Sequence, residues 1–348
     1  MKLRELDRGV WAALAAAALF GAGAPFAKLL LADTGAWLLA AILYLGSGLG
    51  LALMRLLRRA APVRPSPAEW GWLAGATLAG GVIGPVLLMT GLAALPAASV
   101  SLLLNMEAVL TALLAWFVFK ENVDRRVALG MAFIVGGALV LAWPGAVPTA
   151  PGWPALAVLG ACLAWAIDNN LTRKVALTDA SFIAMVKGLA AGATNLAIAW
   201  SLGAAVPALP TLAAGALLGF VSYGASLVLF VVALRRLGTA RTGAYFSVAP
   251  FFGALLALVV FGEAPGAALL TAGGLMALGV WLHLAERHDH EHLHEPREHT
   301  HAHRHDEHHR HAHDGGLAEA GPHTHTHRHA PLKHRHPHYP DAHHGHRH

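Results

Sequence analysis

From His288 to His348 the chain carries 23 of its 24 histidines, most of them at every second position. An imidazole has a reference pKa of about 6.5, so near neutral pH most of these rings are uncharged and able to bind a metal ion. In a His-x-His step two rings can close around one ion at little cost in loop entropy. The runs His299-Thr-His301-Ala-His303-Arg-His305 and His323-Thr-His325-Thr-His327-Arg-His329, with His308, His309, His311 and His313 between them, read as overlapping sites for a divalent metal. Imidazole suits Ni, Co and Zn, and the tail has no Cys or Met to favour Cu(I). Metal is the ligand expected there, and no tightly held cofactor is required.

A second set of chemical groups lies in apolar surroundings, where ionisable residues are costly and mark function by default. Glu107 sits mid-run beside Asn105 and Met106, and reads as a cation ligand, a proton carrier or both in alternation. Its bland reading is a buried acid satisfied by helix contacts. Asp168-Asn169-Asn170 presents three oxygen-bearing side chains, either a vestibule or a polar helix end. Lys187 falls inside another apolar run, placed to pair with Glu107 or Asp168 or to meet an anionic solute. His283 stands one turn from the end of the last run, more naturally an interfacial residue than a ligand. The chain has no Gly-x-x-x-x-Gly-Lys-Ser/Thr loop, no His-Glu-x-x-His and no Gly-x-Ser-x-Gly, so neither ATP-driven pumping nor intramembrane hydrolysis has support and no enzyme is expected.

These residues need positioning, and the composition says by what. Up to residue 285 the chain is mostly Ala, Leu, Gly and Val, and hydrophobic residues make up 56% of the whole. Such a chain is an all-α, multi-pass membrane protein. Runs of spanning length fall near 9–31, 35–57, 70–93, 96–119, 125–143, 153–172, 178–201, 211–233, 241–261 and 264–285, predicting ten transmembrane helices. Basic residues cluster in alternate connections ("RLLRRAAPVRPSP", "KENVDRR", "LTRKVA", "LRRLGTAR") and are missing from the others ("LADTG", "GEAPG"). By the positive-inside rule both termini are then cytoplasmic, and the pI near 9.7 needs no nucleic-acid partner. Pro25 and Pro85 read as helix breaks near the transport path, and pairs such as Gly80/Gly84 and Gly188/Gly192 as close helix packing.

"ALLAWFVFKE" at 112–121 and "ALLALVVFGE" at 254–263 agree at seven of ten positions, and "LPAASVSLLLNMEAVLT" aligns with "LGTARTGAYFSVAPFFG" at the same offset. An internal duplication with five helices per copy forces the copies into opposite orientations, a hallmark of secondary transporters. The predicted organisation is a first repeat over 1–145, a second over 146–285 and a tail over 286–348. With so few apolar residues the tail is expected to be disordered.

In these segments the chain resembles the drug/metabolite transporter superfamily, EamA type. The resemblance rests on the apolar runs ending in Phe119-Lys-Glu121 and Phe261-Gly-Glu263, each followed by a Gly-rich helix. It departs at Ala108, where the family commonly has Pro, whereas Pro250 is present in the second half. The resemblance implies ten helices in two inverted EamA-like repeats, and often export. The His-rich tail is similar to those of nickel and cobalt resistance exporters. The expectation is a proton-coupled exporter of Ni2+ or Co2+ in a bacterial inner membrane. The tail captures ions from the cytoplasm, and the partners are lipid, metal and protons. Two alternatives stand beside it: an exporter of a small organic solute with a metal-buffering tail, and a membrane-anchored metal store or sensor. A homodimer is left open.

Overall fold

A computed structural model describes residues 3–119, 125–142, 152–175, 179–237, 242, 245–262 and 264–284, and in the tail 289–294, 298–303, 323–328 and 332–337. Seven helices are long and apolar enough to cross a membrane: Arg8–Thr34, Ala36–Leu57, Pro67–Ala94, Ala97–Val118, Trp153–Thr172, Ala180–Ser201 and Leu209–Ala233. Where the sequence predicts three more spans there are shorter apolar helices, Ala128–Leu141, Ala249–Phe261 and Ala267–Leu282. Large apolar side chains such as Phe117, Leu139, Leu212 and Val259 are exposed on the outside of the bundle, as a lipid-facing surface requires.

In finer detail the first repeat comprises α1 (Leu3–Gly21), α2 (Gly23–Thr34), α3 (Ala36–Leu57), α4 (Pro67–Ala76), a π-helical turn (Thr77–Ile83), α5 (Gly84–Ala94), α6 (Ala97–Leu103), α7 (Met106–Phe119) and α8 (Arg125–Ala142). Next come α9 (Trp153–Thr172), a short 3-10 turn (Arg173–Val175), α10 (Ala180–Ser201), α11 (Leu209–Gly219), a second π turn (Phe220–Ala225), α12 (Ser226–Leu237), α13 (Ala249–Phe261) and α14 (Ala267–Leu284). Local chemistry sets several ends. Ser66 and Glu69 form a reciprocal capping box at the start of α4, with Pro67 in the first helical turn. Gly262, at φ 61°, ends α13 in the left-handed conformation that glycine adopts without strain.

At both expected breaks the helical hydrogen bonding changes, while each span continues as one helix. The interruption between α1 and α2 at Ala22 follows from Pro25, which has no N–H to donate one turn back to Gly21. The π turn Thr77–Ile83 lies just ahead of Pro85. The internal repeat has an offset of 142 residues, the separation of Ala112 and Ala254, and it carries the first π turn onto the second. The same offset relates, within one residue, the interruption at Leu104-Asn105 to that at Ser247-Val248.

Between the halves, α3 packs along α10 and α8 along α14, while α1 meets α12, α5 meets α9 and α6 meets α13. In lipid such contacts depend on close approach through small residues. A Cβ on Gly188 would stand 2.8 Å from the backbone of Gly48, and one on Gly279 would stand 2.6 Å from the carbonyl of Gly130. The largest buried cluster, including Leu39, Leu88, Met89, Leu103, Ile134, Cys162 and Met276, draws on both halves. Lys28 donates to the carbonyl of Leu95 and lies 5.8 Å from the centre of the Phe261 ring.

Arg287–His348 forms a separate compact unit. Its described residues lie on four strands. β1 (Asp289–His294) pairs antiparallel with β4 (Leu332–Pro337), and β2 (Glu298–His303) with β3 (His323–Arg328). The physical reason lies in the pattern that suggested metal: alternation of one residue type at every second position is the period of a strand.

Candidate functional site

The break between α6 and α7 puts Glu107 in the first turn of a half-helix. There the N–H of Glu107 bonds the carbonyl of Leu104 at 3.1 Å, and the helix dipole favours negative charge. Opposite stands the last turn of α9. Asn169 Nδ2 donates to Glu107 Oε1 at 2.9 Å and lies 3.4 Å from Thr111 Oγ1, one turn further along α7. Asn170 turns the other way and donates to the carbonyls of Thr111 and Ala166, fastening α9 to α7.

Asp168 is buried and paired. Lys187 Nζ reaches it from α10 at 2.5 Å (Oδ1) and 2.6 Å (Oδ2), and Thr172 Oγ1 donates to Oδ1 at 2.8 Å. Glu107 lies within electrostatic reach of both members of this pair, so Glu107, Asn169, Asp168, Thr172 and Lys187 form one locus. A lysine on one carboxylate leaves the other, Glu107, with an amide as its hydrogen-bond donor. Such a group can take up a proton or a cation without first giving up an ion-pair partner.

The floor of this locus is the first π turn. The N–H of Gly84 reaches back five residues to Ala79, and Pro85 has none to offer. The carbonyl of Gly80 accepts instead from Tyr44 Oη at 2.7 Å and Trp165 Nε1 at 2.8 Å, and that of Gly81 from Asn195 Nδ2 at 2.9 Å. The turn thus exposes carbonyls that side chains of α3, α9 and α10 bind. A Cβ at Gly80 would collide with the Asp168 carboxylate, so this glycine is what lets Asp168 lie against the turn. The sequence reading took Gly80 for packing alone.

Of the expected path residues, Glu107, Asn169, Asp168 and Lys187 come together. Asn105 does not: it donates to Leu102 O at 3.0 Å and sits 3.8 Å from Met276 Sδ, closing the end of α6. The Leu102 carbonyl also accepts the backbone N–H of Asn105 at 3.0 Å, so the residue caps the end of α6 through main chain and side chain together. Cys162 approaches the next carbonyl, Leu103 O, at 3.6 Å. His283 belongs to the last turn of α14, and its side chain lies outside the described residues. Tyr44, Trp165 and Asn195 were not singled out in the sequence. Pro85 was the available signal, since a proline inside a span frees carbonyls that must find donors.

Among the described residues no three His, Cys, Asp or Glu side chains converge as a metal site. In the tail His299, His301, His303, His323, His325 and His327 lie on strands, whereas His305, His308, His309, His311, His313 and His329 lie outside the described residues, as do Glu121 and Glu263.

The chain is 31% identical over 208 residues to a curated protein of Methanothermobacter thermautotrophicus (strain Delta H) described as an uncharacterized transporter. That match takes in 58% of this chain and 60% of the relative. A solved crystal structure superposes with a TM-score of 0.61 at 19% identity, over 79% of this chain and 96% of the other, a likeness of fold. The sequence model of the EamA-like transporter family matches twice, over residues 7–143 and 152–285. The two matches take in most of the chain, which therefore belongs to the EamA-like transporter family.

Proposed function

We propose that this protein is a proton-coupled exporter of divalent transition metal, Ni2+ or Co2+, in a bacterial cytoplasmic membrane. In this reading its ten spans form two inverted repeats, and both termini face the cytoplasm. The observation that carries the coupling is Glu107: a membrane carboxylate at the start of a half-helix, hydrogen-bonded to an amide and facing the Asp168–Lys187 pair. Such a group can alternate between proton and cargo, and broken helices are where transporters place ion sites. The histidine tail favours metal. On the cytoplasmic side it raises the local metal concentration at an inward-facing entrance, an effective-concentration effect that suits efflux.

A second reading has its own observation. The Asp168–Lys187 pair is a ready exchange partner for a zwitterion, whose carboxylate takes Lys187 and whose ammonium takes Asp168 or Glu107. On that reading the cargo is a small organic solute and the tail buffers metal.

Metal content of a sensitive bacterial host separates the two. Cells loaded with Ni2+, Co2+ or Zn2+ would express the intact protein, the Glu107→Ala variant or a chain ending before His288. Metal export predicts low accumulation with the intact chain, accumulation restored by Glu107→Ala, and an intermediate level without the tail. Equal metal content in all three sinks the metal reading and directs the search to organic solutes.

A further inference from the structure

The register of the tail strands brings histidine opposite histidine. In β2 and β3 the facing positions are His299 with His327, His301 with His325 and His303 with His323. β1 and β4 add His290 with His336 and His292 with His334. Both ribbons keep one register, in which residue i faces residue 626 − i. Alternate residues of a strand share a face, so all six histidines of β2 and β3 fall on one face of that ribbon. Three of the other facing positions match as well: Glu298 faces Arg328, Thr300 faces Thr326 and, in the outer ribbon, Glu291 faces Arg335. Opposite charges and threonine pairs are favoured cross-strand combinations, and a slip by one residue would set histidine against threonine.

We propose that the tail binds divalent metal between its strands, through the facing histidine pairs, and that metal binding and strand pairing are one equilibrium. This rests on the reading that the tail captures metal, and it goes further by naming which histidines act together. Facing positions have Cα atoms about 4.5–5.5 Å apart, and successive pairs on one face are about 6.8 Å apart. Each pair supplies two imidazoles to one ion, and solvent completes the tetrahedral set that zinc takes. A two-stranded ribbon with so little apolar surface is marginal in water on its own. A metal held across it adds the free energy of binding to that of pairing, as in small metal-dependent folds.

The test uses the full chain in detergent and Zn2+, which is redox-inert and diamagnetic. Two double variants each remove two histidines. His301→Ala with His325→Ala deletes one facing pair and leaves two intact. His301→Ala with His327→Ala breaks two pairs and leaves one. Equilibrium dialysis should show the second losing twice as much bound zinc as the first. Equal losses, or the reverse order, would mean that histidines act within single strands and would overturn the proposal. A second measurement places nitroxide labels on Thr300→Cys and Thr326→Cys, and Cys162 is buried and does not interfere. Zinc should narrow their separation to that of facing positions, and this should persist on dilution with unlabelled protein. Zinc bound with no change in separation, or a signal lost on dilution, would also overturn it. If no zinc binds at all, the capture reading itself fails.

Discussion

The ammonium of Lys187 on α10 lies 2.5 Å and 2.6 Å from the two carboxylate oxygens of Asp168 on α9, and both side chains are largely shielded, at 17% and 9% exposed. The pair ties two helices of the second repeat across the π turn of the first. It also shapes the charge of the site, because it pairs one of two neighbouring carboxylates with an ammonium while Glu107 is hydrogen-bonded to the Asn169 amide.

Removing one partner of a shielded pair strands a charge in a medium that solvates it poorly. Asp168→Asn or Lys187→Met alone should cost roughly 3–5 kcal/mol of stability, whereas the double variant should recover most of that loss. Thermal unfolding of the purified variants in detergent measures the cycle. Additive losses would show that the two groups do not interact.

Glu107→Gln keeps the size of the side chain and an oxygen to accept from Asn169 while removing the ionisable proton. Stability should change by no more than about 1 kcal/mol, the scale of one hydrogen bond. Flux driven by an imposed pH gradient in proteoliposomes should disappear. Undiminished pH-driven flux would remove Glu107 from the coupling role.

Two glycines of one span should respond in opposite ways to alanine. Gly71, in α4, has open space where its Cβ would go, so Gly71→Ala should stabilise by about 0.5–1 kcal/mol through helix propensity. Gly80→Ala drives a methyl group into Asp168 and should lower both stability and transport. Comparing the two melting temperatures checks the geometry of the π turn directly.

The two donors on the Gly80 carbonyl should be partly redundant. Tyr44→Phe and Trp165→Phe each leave one donor and should cost about 0.5–1.5 kcal/mol. Together they leave a carbonyl unpaired, so the double variant should lose more than the sum of the single losses.

At the start of α10, Asp179 accepts from Arg55 at 2.7 Å, from Ser181 at 2.5 Å and from the N–H of Phe182 at 2.9 Å. Partial burial pushes this carboxyl up, but the Ser181 hydroxyl, the Phe182 N–H and the Arg55 charge outweigh it and hold it below the usual carboxylate range. With the folded value depressed, its contribution is fully present above the unfolded value of about 3.9 and is lost as pH falls through the folded value. Asp179→Asn should therefore be less stable than the parent at pH 7, with the gap closing as pH falls below the unfolded value. Unfolding curves across that range test the sign.

Much of the fold was legible because lipid imposes a simple rule: a crossing segment must be apolar for about 20 residues and satisfy its own backbone. That rule located the helices within a few residues, and the repeat at 112–121 and 254–263 carried the duplication. Pro25 and Pro85 marked places where the helical hydrogen bonding changes within a continuous span, since a missing N–H acts wherever the chain goes. The partner of Lys187 was not legible, because Glu107 and Asp168 were equally open to it. Asn105 looked like part of the path because it neighbours Glu107 in sequence, yet the break at Leu104-Asn105 turns it onto Leu102 and Met276.

Composition and pattern by themselves determined that this is a helical, internally duplicated membrane protein with an imidazole-rich tail, because those properties depend on residue type and period alone. Tertiary structure decided which carboxylate Lys187 neutralises, that Gly80 is the gap Asp168 fills, and that the histidines of the tail face one another across strands. Each of these depends on which residues meet across tens or hundreds of positions of chain, and helix crossing and strand register set that, not sequence spacing.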